Sequence, residues 1–198
     1  NGYSEYGGGI YSSGCPILSN LNIVNNSAVR GGGIYNDYCS MKIKNTIIQG
    51  NVSSNKGGGF YCNGSNTTLE DVVIKNNSGS EGGGIFIQGG NQFITRVTIS
   101  NNSASVGGGL SCRYSIPILQ DVLVSENNGG GLLCLYEGNP ILNNVTISKN
   151  IVSSDNIAGG ISCHYGVHPI CINTILWNNS YMEVYLSSIS DSITFLYT

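Results

Sequence analysis

Charge is scarce in this 198-residue chain. Lys and Arg number 8 and Asp and Glu 11, only 10% of the residues, for a net charge of −3. No basic stripe exists to neutralise a phosphate backbone, so no nucleic-acid partner is expected. No apolar run reaches about 18 residues, so no helical membrane span is expected either. Helix formers such as Ala, Glu and Lys are sparse, which excludes a protein of long helices. No Cys-x-x-Cys pair occurs among the 7 cysteines, and no metal site is expected. There is neither an initiator Met nor a signal-peptide pattern at Asn1. The chain is expected to be a mature segment or an excerpt of a longer secreted or surface protein.

What is abundant is turn chemistry. Gly numbers 29, and Asn and Ser 26 each, together about two-fifths of the chain. Such a composition resembles a linker. The 40% hydrophobic content argues against disorder, which goes with low hydrophobicity and high net charge.

A repeat resolves the conflict. A Gly-rich triplet followed by an apolar residue recurs seven times, at Ile10, Ile34, Phe60, Ile85, Leu110, Leu132 and Ile161. The mean spacing is about 25 residues, and the last triplet is degenerate, Ala158-Gly159-Gly160. Each triplet is followed by an apolar-x-x-Asn signal ending at Asn26, Asn51, Asn77, Asn102, Asn127, Asn150 and Asn179. Aligned repeats give further apolar columns. One runs Leu18, Ile43, Leu69, Ile94, Leu119, Leu142, Cys171; another Leu21, Thr46, Val72, Val97, Val122, Val145, Thr174; a third Ile23, Ile48, Ile74, Ile99, Val124, Ile147, Leu176. Residues two apart on a strand share a face, so these columns are expected inside.

One repeat cannot bury these residues alone, whereas repeats stacked in register bury them as continuous ladders. The expected fold is all-β: a right-handed parallel β-helix of about seven coils, one domain over 1–198, with 173–198 a last, less regular coil. Gly serves the sharp turns. The Asn column is expected to bond coil to coil as a structural ladder.

These motifs carry a resemblance covering nearly the whole chain. The sequence resembles the right-handed parallel β-helix repeat proteins of the pectate-lyase-like superfamily. Gly-Gly-Gly-Ile paired with Ile-x-x-Asn is similar to the GGA(I/L/V) and FxxN repeats of chlamydial polymorphic outer-membrane proteins, with Ile, Val or Leu here in place of Phe. The segment Asn173-Thr174-Ile175-Leu176-Trp177-Asn178-Asn179, with Glu183-Val184-Tyr185 after it, resembles the last coil of large secreted bacterial β-helix proteins. The resemblance implies an extracellular or cell-surface location. It does not fix an activity.

Several side chains stand out from the scaffold. Tyr11, Tyr35, Tyr61 and Phe86 follow the apolar ladder residue and by alternation face outward, a stripe suited to sugar rings or a partner surface. Tyr38, Tyr114, Tyr136 and Tyr165, three residues further on, would extend it. Trp177 is expected outward as a cover for the last coil. The column Asn20, Asn45, Asp71, Arg96, Asp121, Asn144, Asn173 holds the catalytic candidates Asp71, Arg96 and Asp121. The two carboxylates stand two coils apart, ~9.6 Å, a separation that fits an inverting glycosidase pair. By the resemblance, a lyase would instead use carboxylates for Ca²⁺ and a Lys or Arg as base; otherwise no cofactor is expected. Arg96 between the carboxylates suits an ion ladder better than acid–base catalysis. His164 and His168 have no Ser or Cys partner at fixed spacing and read as surface residues. Cys62, Cys112, Cys134 and Cys163 share one inward column. Cys15 and Cys39 fall in register at the first bend and form the candidate disulfide.

The expected function is a non-enzymatic adhesin, stalk or glycan-binding segment with a polysaccharide or cell-surface partner. The alternatives are a polysaccharide lyase or hydrolase, and a filament subunit associating end to end through unpaired strand edges.

Overall fold

The structure, a computed structural model, describes residues 3–153 and 157–197. All regular elements among the described residues are short strands, and strands of successive coils pair in parallel. One face is an eight-stranded sheet. It runs from Ile10–Ser12 through Ile34–Asp37, Phe60–Asn63, Ile85–Gly90, Leu110–Ser115, Leu132–Leu135 and Ile161–His164 to Val184–Leu186. A 13-stranded sheet supplies two strands per coil either side of a bend, fused where Lys42–Gln49 and Thr68–Lys75 run through it unbroken. A third, shorter stack pairs Tyr3–Tyr6, Ser27–Arg30 and Val52–Lys56, continued by single bridges such as Ser78 with Ser103.

The solenoid has about eight turns, one more than the repeat count. Val184–Leu186 pairs with Ile161–Cys163, and Thr194–Leu196 with Ile170–Ile172. Tyr181-Met182-Glu183 stands where earlier coils carry the Gly triplet, so the extra turn leaves no triplet signal.

The apolar columns fill the interior. Ile34, Ile43, Ile48, Ile74, Ile85, Ile94, Ile99 and Ile147 are fully buried. Each such side chain contributes about 1.5–3 kcal/mol of transfer free energy. The Gly triplets answer to close packing. A Cβ on Gly32 would lie 2.5 Å from the carbonyl oxygens of both Gly58 and Val52, and Gly31 has a φ of +63°.

The bend in the larger sheet is left-handed in the first seven coils. Asn20, Asn45, Asp71, Arg96, Asp121, Asn144 and Asn173 all have φ between 46° and 57°. Asn and Asp tolerate this region better than other L residues, which accounts for six of these seven residues and makes Arg96 the exception.

The asparagine column is a continuous ladder. Each side-chain amide from Asn26 to Asn150 donates to the Oδ1 of the next coil's Asn at 2.9–3.0 Å. The same Oδ1 accepts the backbone N–H of the preceding Asn. The second amide hydrogen goes to a strand carbonyl, as from Asn77 to Ile48 at 3.0 Å. At the far end Glu183 closes the ladder: its carboxylate takes the Asn179 amide and, at 3.2 Å, its backbone N–H.

Candidate functional site

The first aromatic column lies differently from the outward expectation. Tyr11 is 52% exposed, but Tyr35 and Tyr61 are only 5% and 7% exposed and Phe86 is fully buried. Their rings stack through the coils at centroid distances of 5.8, 4.7 and 4.9 Å. Strand alternation does point them out of the solenoid. The residues before the Gly triplets, Tyr6, Arg30, Lys56 and Glu81, then fold over them. Tyr6 meets Tyr35 edge-on at 4.9 Å, and Lys56 Nζ sits 4.6 Å from the Phe86 ring centre. Glu81 knits this cover, accepting from Ser111 Oγ at 2.7 Å and Arg113 Nε at 2.9 Å. Burial pushes the Tyr35 and Tyr61 phenols up, away from ionisation.

The exposed aromatic surface is instead the next column. Tyr38 is 76% exposed, with a φ of +48°. Its ring lies across Gly64 of the following coil: a Cβ there would stand 2.5 Å from Tyr38 Cε1. Beside it Asn63 Nδ2 donates to Asp37 Oδ1 at 2.8 Å, and Tyr11 Oη approaches Asp37 Oδ2 at 3.5 Å. Tyr6, Tyr11, Tyr35, Asp37, Tyr38 and Asn63 line one open cleft. It combines an aromatic platform with a carboxylate and an amide held side by side.

Further along the same column, Tyr114, Tyr136 and Tyr165 stack at 5.4 and 4.6 Å, with ring planes 14° and 3° apart. All three have positive φ. Tyr114 and Tyr165 are more than half exposed. Stacking covers the faces of the middle ring, so this ladder offers edges and phenol oxygens more than faces.

A family model described as a right handed beta helix region matches residues 8–180. The chain belongs to the right-handed β-helix family. No curated protein and no solved structure matches the chain significantly.

In this β-helix the charged column builds an ion ladder rather than a convergent acid–base site. Arg96 turns to one side only. Its Nε and Nη2 hold Asp71 at 2.7 and 2.9 Å, and Nη2 also meets Glu70 at 2.8 Å. Asp121, on the other side, takes the Asn144 amide at 3.2 Å. The Arg96 hydrogen bonds hold the Asp71 carboxyl below its ordinary range, and Lys44 followed by Arg96 does so for Glu70. Asp71, Arg96 and Asp121 are thus neighbours in the bend without lining the aromatic cleft.

Cys62, Cys112, Cys134 and Cys163 are fully buried, as their column requires. Burial, then the adjoining Cys112 and Cys163 thiols, pushes the Cys134 thiol well up. Cys39 is buried beside the exposed Cys15, and both are free thiols. Trp177 is exposed. His168 is exposed with Nδ1 2.8 Å from Ser192 Oγ, whereas burial pushes the half-buried His164 down. Among the described residues no three His, Cys, Asp or Glu side chains are grouped to hold a metal ion. No helix among them is long and apolar enough to cross a membrane.

Proposed function

We propose that this β-helix is a non-enzymatic saccharide-binding module of an extracellular or cell-surface protein, and that the Tyr38 cleft is its binding site. The carrying observation is the Tyr38 ring, exposed and seated against Gly64 beside the Asp37–Asn63 pair. A pyranose has an apolar C–H face that suits an aromatic face, and hydroxyl pairs on its edge that suit a carboxylate beside an amide. Aromatic walls with a few placed polar groups that fix orientation are a recurring form of small-ligand site. Tyr114, Tyr136 and Tyr165, on the same edge of the rod, would supply hydrogen-bonding edges to a longer chain lying along the axis.

Affinity electrophoresis through gels containing a panel of neutral and acidic polysaccharides tests the proposal. At least one polysaccharide is expected to retard the wild type, and Tyr38→Ala is expected to migrate as in an empty gel. No retardation by any polysaccharide, or equal retardation of Tyr38→Ala, would contradict it. Turnover of a retarding polymer that is lost in Asp121→Asn would favour a lyase or hydrolase instead.

A further inference from the structure

Cysteines on successive coils occur twice in this solenoid, in two different settings. Cys112, Cys134 and Cys163 pair in register within strands. Parallel strands hold such residues ~4.8 Å apart, beyond the usual Cβ separation of about 3.5–4.5 Å in a disulfide, and all three are fully buried away from any oxidant. Cys15 and Cys39 lie in bends instead. Each stands three residues after an in-register pair, Ser12 and Asn36. The second coil then takes one residue more than the first to reach the next pair, Ile17 with Lys42. The bend at Cys39 is tight, with the Met41 N–H donating to the Cys39 carbonyl at 2.9 Å. Cys15 and Cys39 thus occupy matching positions in the same bend of successive coils, between the in-register pairs Ser12–Asn36 and Ile17–Lys42, and Cys15 alone among the seven cysteines is exposed.

We propose that Cys15 and Cys39 are a redox-active pair that closes into a disulfide between the first two coils. A glutathione disulfide type of oxidant suffices. The exposed Cys15 thiolate attacks one of its sulfurs, forming a mixed disulfide and releasing one glutathione thiolate. Cys39, deprotonated, then attacks the Cys15 sulfur and releases the second glutathione. Two protein thiols have lost two protons and two electrons, and glutathione disulfide has become two glutathiones. Burial, followed by the neighbouring thiol, pushes Cys39 up to about 11, so the closing step accelerates as pH rises toward that value. The bridge adjoins Tyr38 in sequence and pins the left-handed corner that presents its ring; this consequence rests on the saccharide reading, whereas the bridge does not.

The test is non-reducing peptide mapping of the whole chain after equilibration with glutathione disulfide. The expected product has lost the mass of two hydrogen atoms, joins the Cys15 and Cys39 peptides, and melts about 5 °C or more above the reduced chain. Cys15→Ser, an exposed substitution, is expected to abolish both the link and the shift. A stable glutathione adduct on Cys15 with Cys39 still free, or a link between another pair such as Cys112 and Cys134, would overturn the proposal. These outcomes are independent of whether any polysaccharide binds.

Discussion

Tyr38 and Gly64 are one joint. The tyrosine ring occupies the space that a side chain at Gly64 would need, with Cε1 2.5 Å from the position of a Cβ there. Gly64 also has a φ of +58°. Gly64→Ala is therefore expected to lower stability by about 1–2 kcal/mol through the left-handed backbone alone and to lift the Tyr38 ring off its seat. Urea unfolding measures the first effect. Loss of polysaccharide retardation in the folded variant measures the second.

The asparagine ladder is expected to be the most sensitive polar element of the fold. Asn102 is 1% exposed, gives both amide hydrogens and receives two donors from the coil before. Asn102→Ala leaves several buried groups without partners, each costing about 1–3 kcal/mol. A loss of roughly 3 kcal/mol or more in chemical unfolding is expected, larger than for the half-buried Asn179 at the ladder's end.

Tyr136 shares ring faces with both neighbours. Tyr136→Ala removes two stacked pairs worth about 0.5–1.5 kcal/mol each and keeps an L residue in the left-handed region. Tyr136→Gly loses the same contacts and relieves the backbone. The glycine variant is expected to be the more stable of the two in thermal unfolding, reversing the usual order of Ala over Gly.

The last coil is expected to loosen in acid. Burial alone would raise the Asp191 carboxyl, but the donors from Val167, Ser187, Gly166 and Ser188 outweigh it and hold it below the ordinary value. A carboxyl depressed in the folded state contributes stability above its unfolded value, about 3.9, and loses it as pH falls through the folded value. Exchange of the Gly166 and Val167 amides is therefore expected to stay slow from neutrality to about pH 5 and to speed up relative to the strand amides below about pH 4. Asp191→Asn is expected to show faster exchange already at neutral pH, with little further dependence on acid.

Most of the solenoid is written in columns that alternation and spacing expose: the inward Ile, Leu and Val ladders and the Asn ladder stand where the repeat places them. Alternation also orients Tyr35, Tyr61 and Phe86 correctly, away from the interior. It carries no information about a second layer, and the cover by Tyr6, Arg30, Lys56 and Glu81 is long-range packing that reverses their exposure. The eighth turn is hidden because Tyr181-Met182-Glu183 replaces the triplet. Gly64 conceals the cleft in the same way. From Tyr38 through Gly64, Gly89, Tyr114 and Tyr136 to Tyr165 its column interchanges Gly and Tyr at a positive φ, and a hydrophobicity pattern has no mark for that backbone state.

Calorimetric titration with a polysaccharide that retards the wild type tests the Tyr38 cleft most directly, using Tyr38→Ala and Tyr38→Phe as the two variants. The expected result is binding by the wild type, nearly unchanged in Tyr38→Phe, which keeps the ring face, and weakened at least tenfold in Tyr38→Ala. Equal affinity in wild type and Tyr38→Ala would contradict the assignment of the cleft as the binding site.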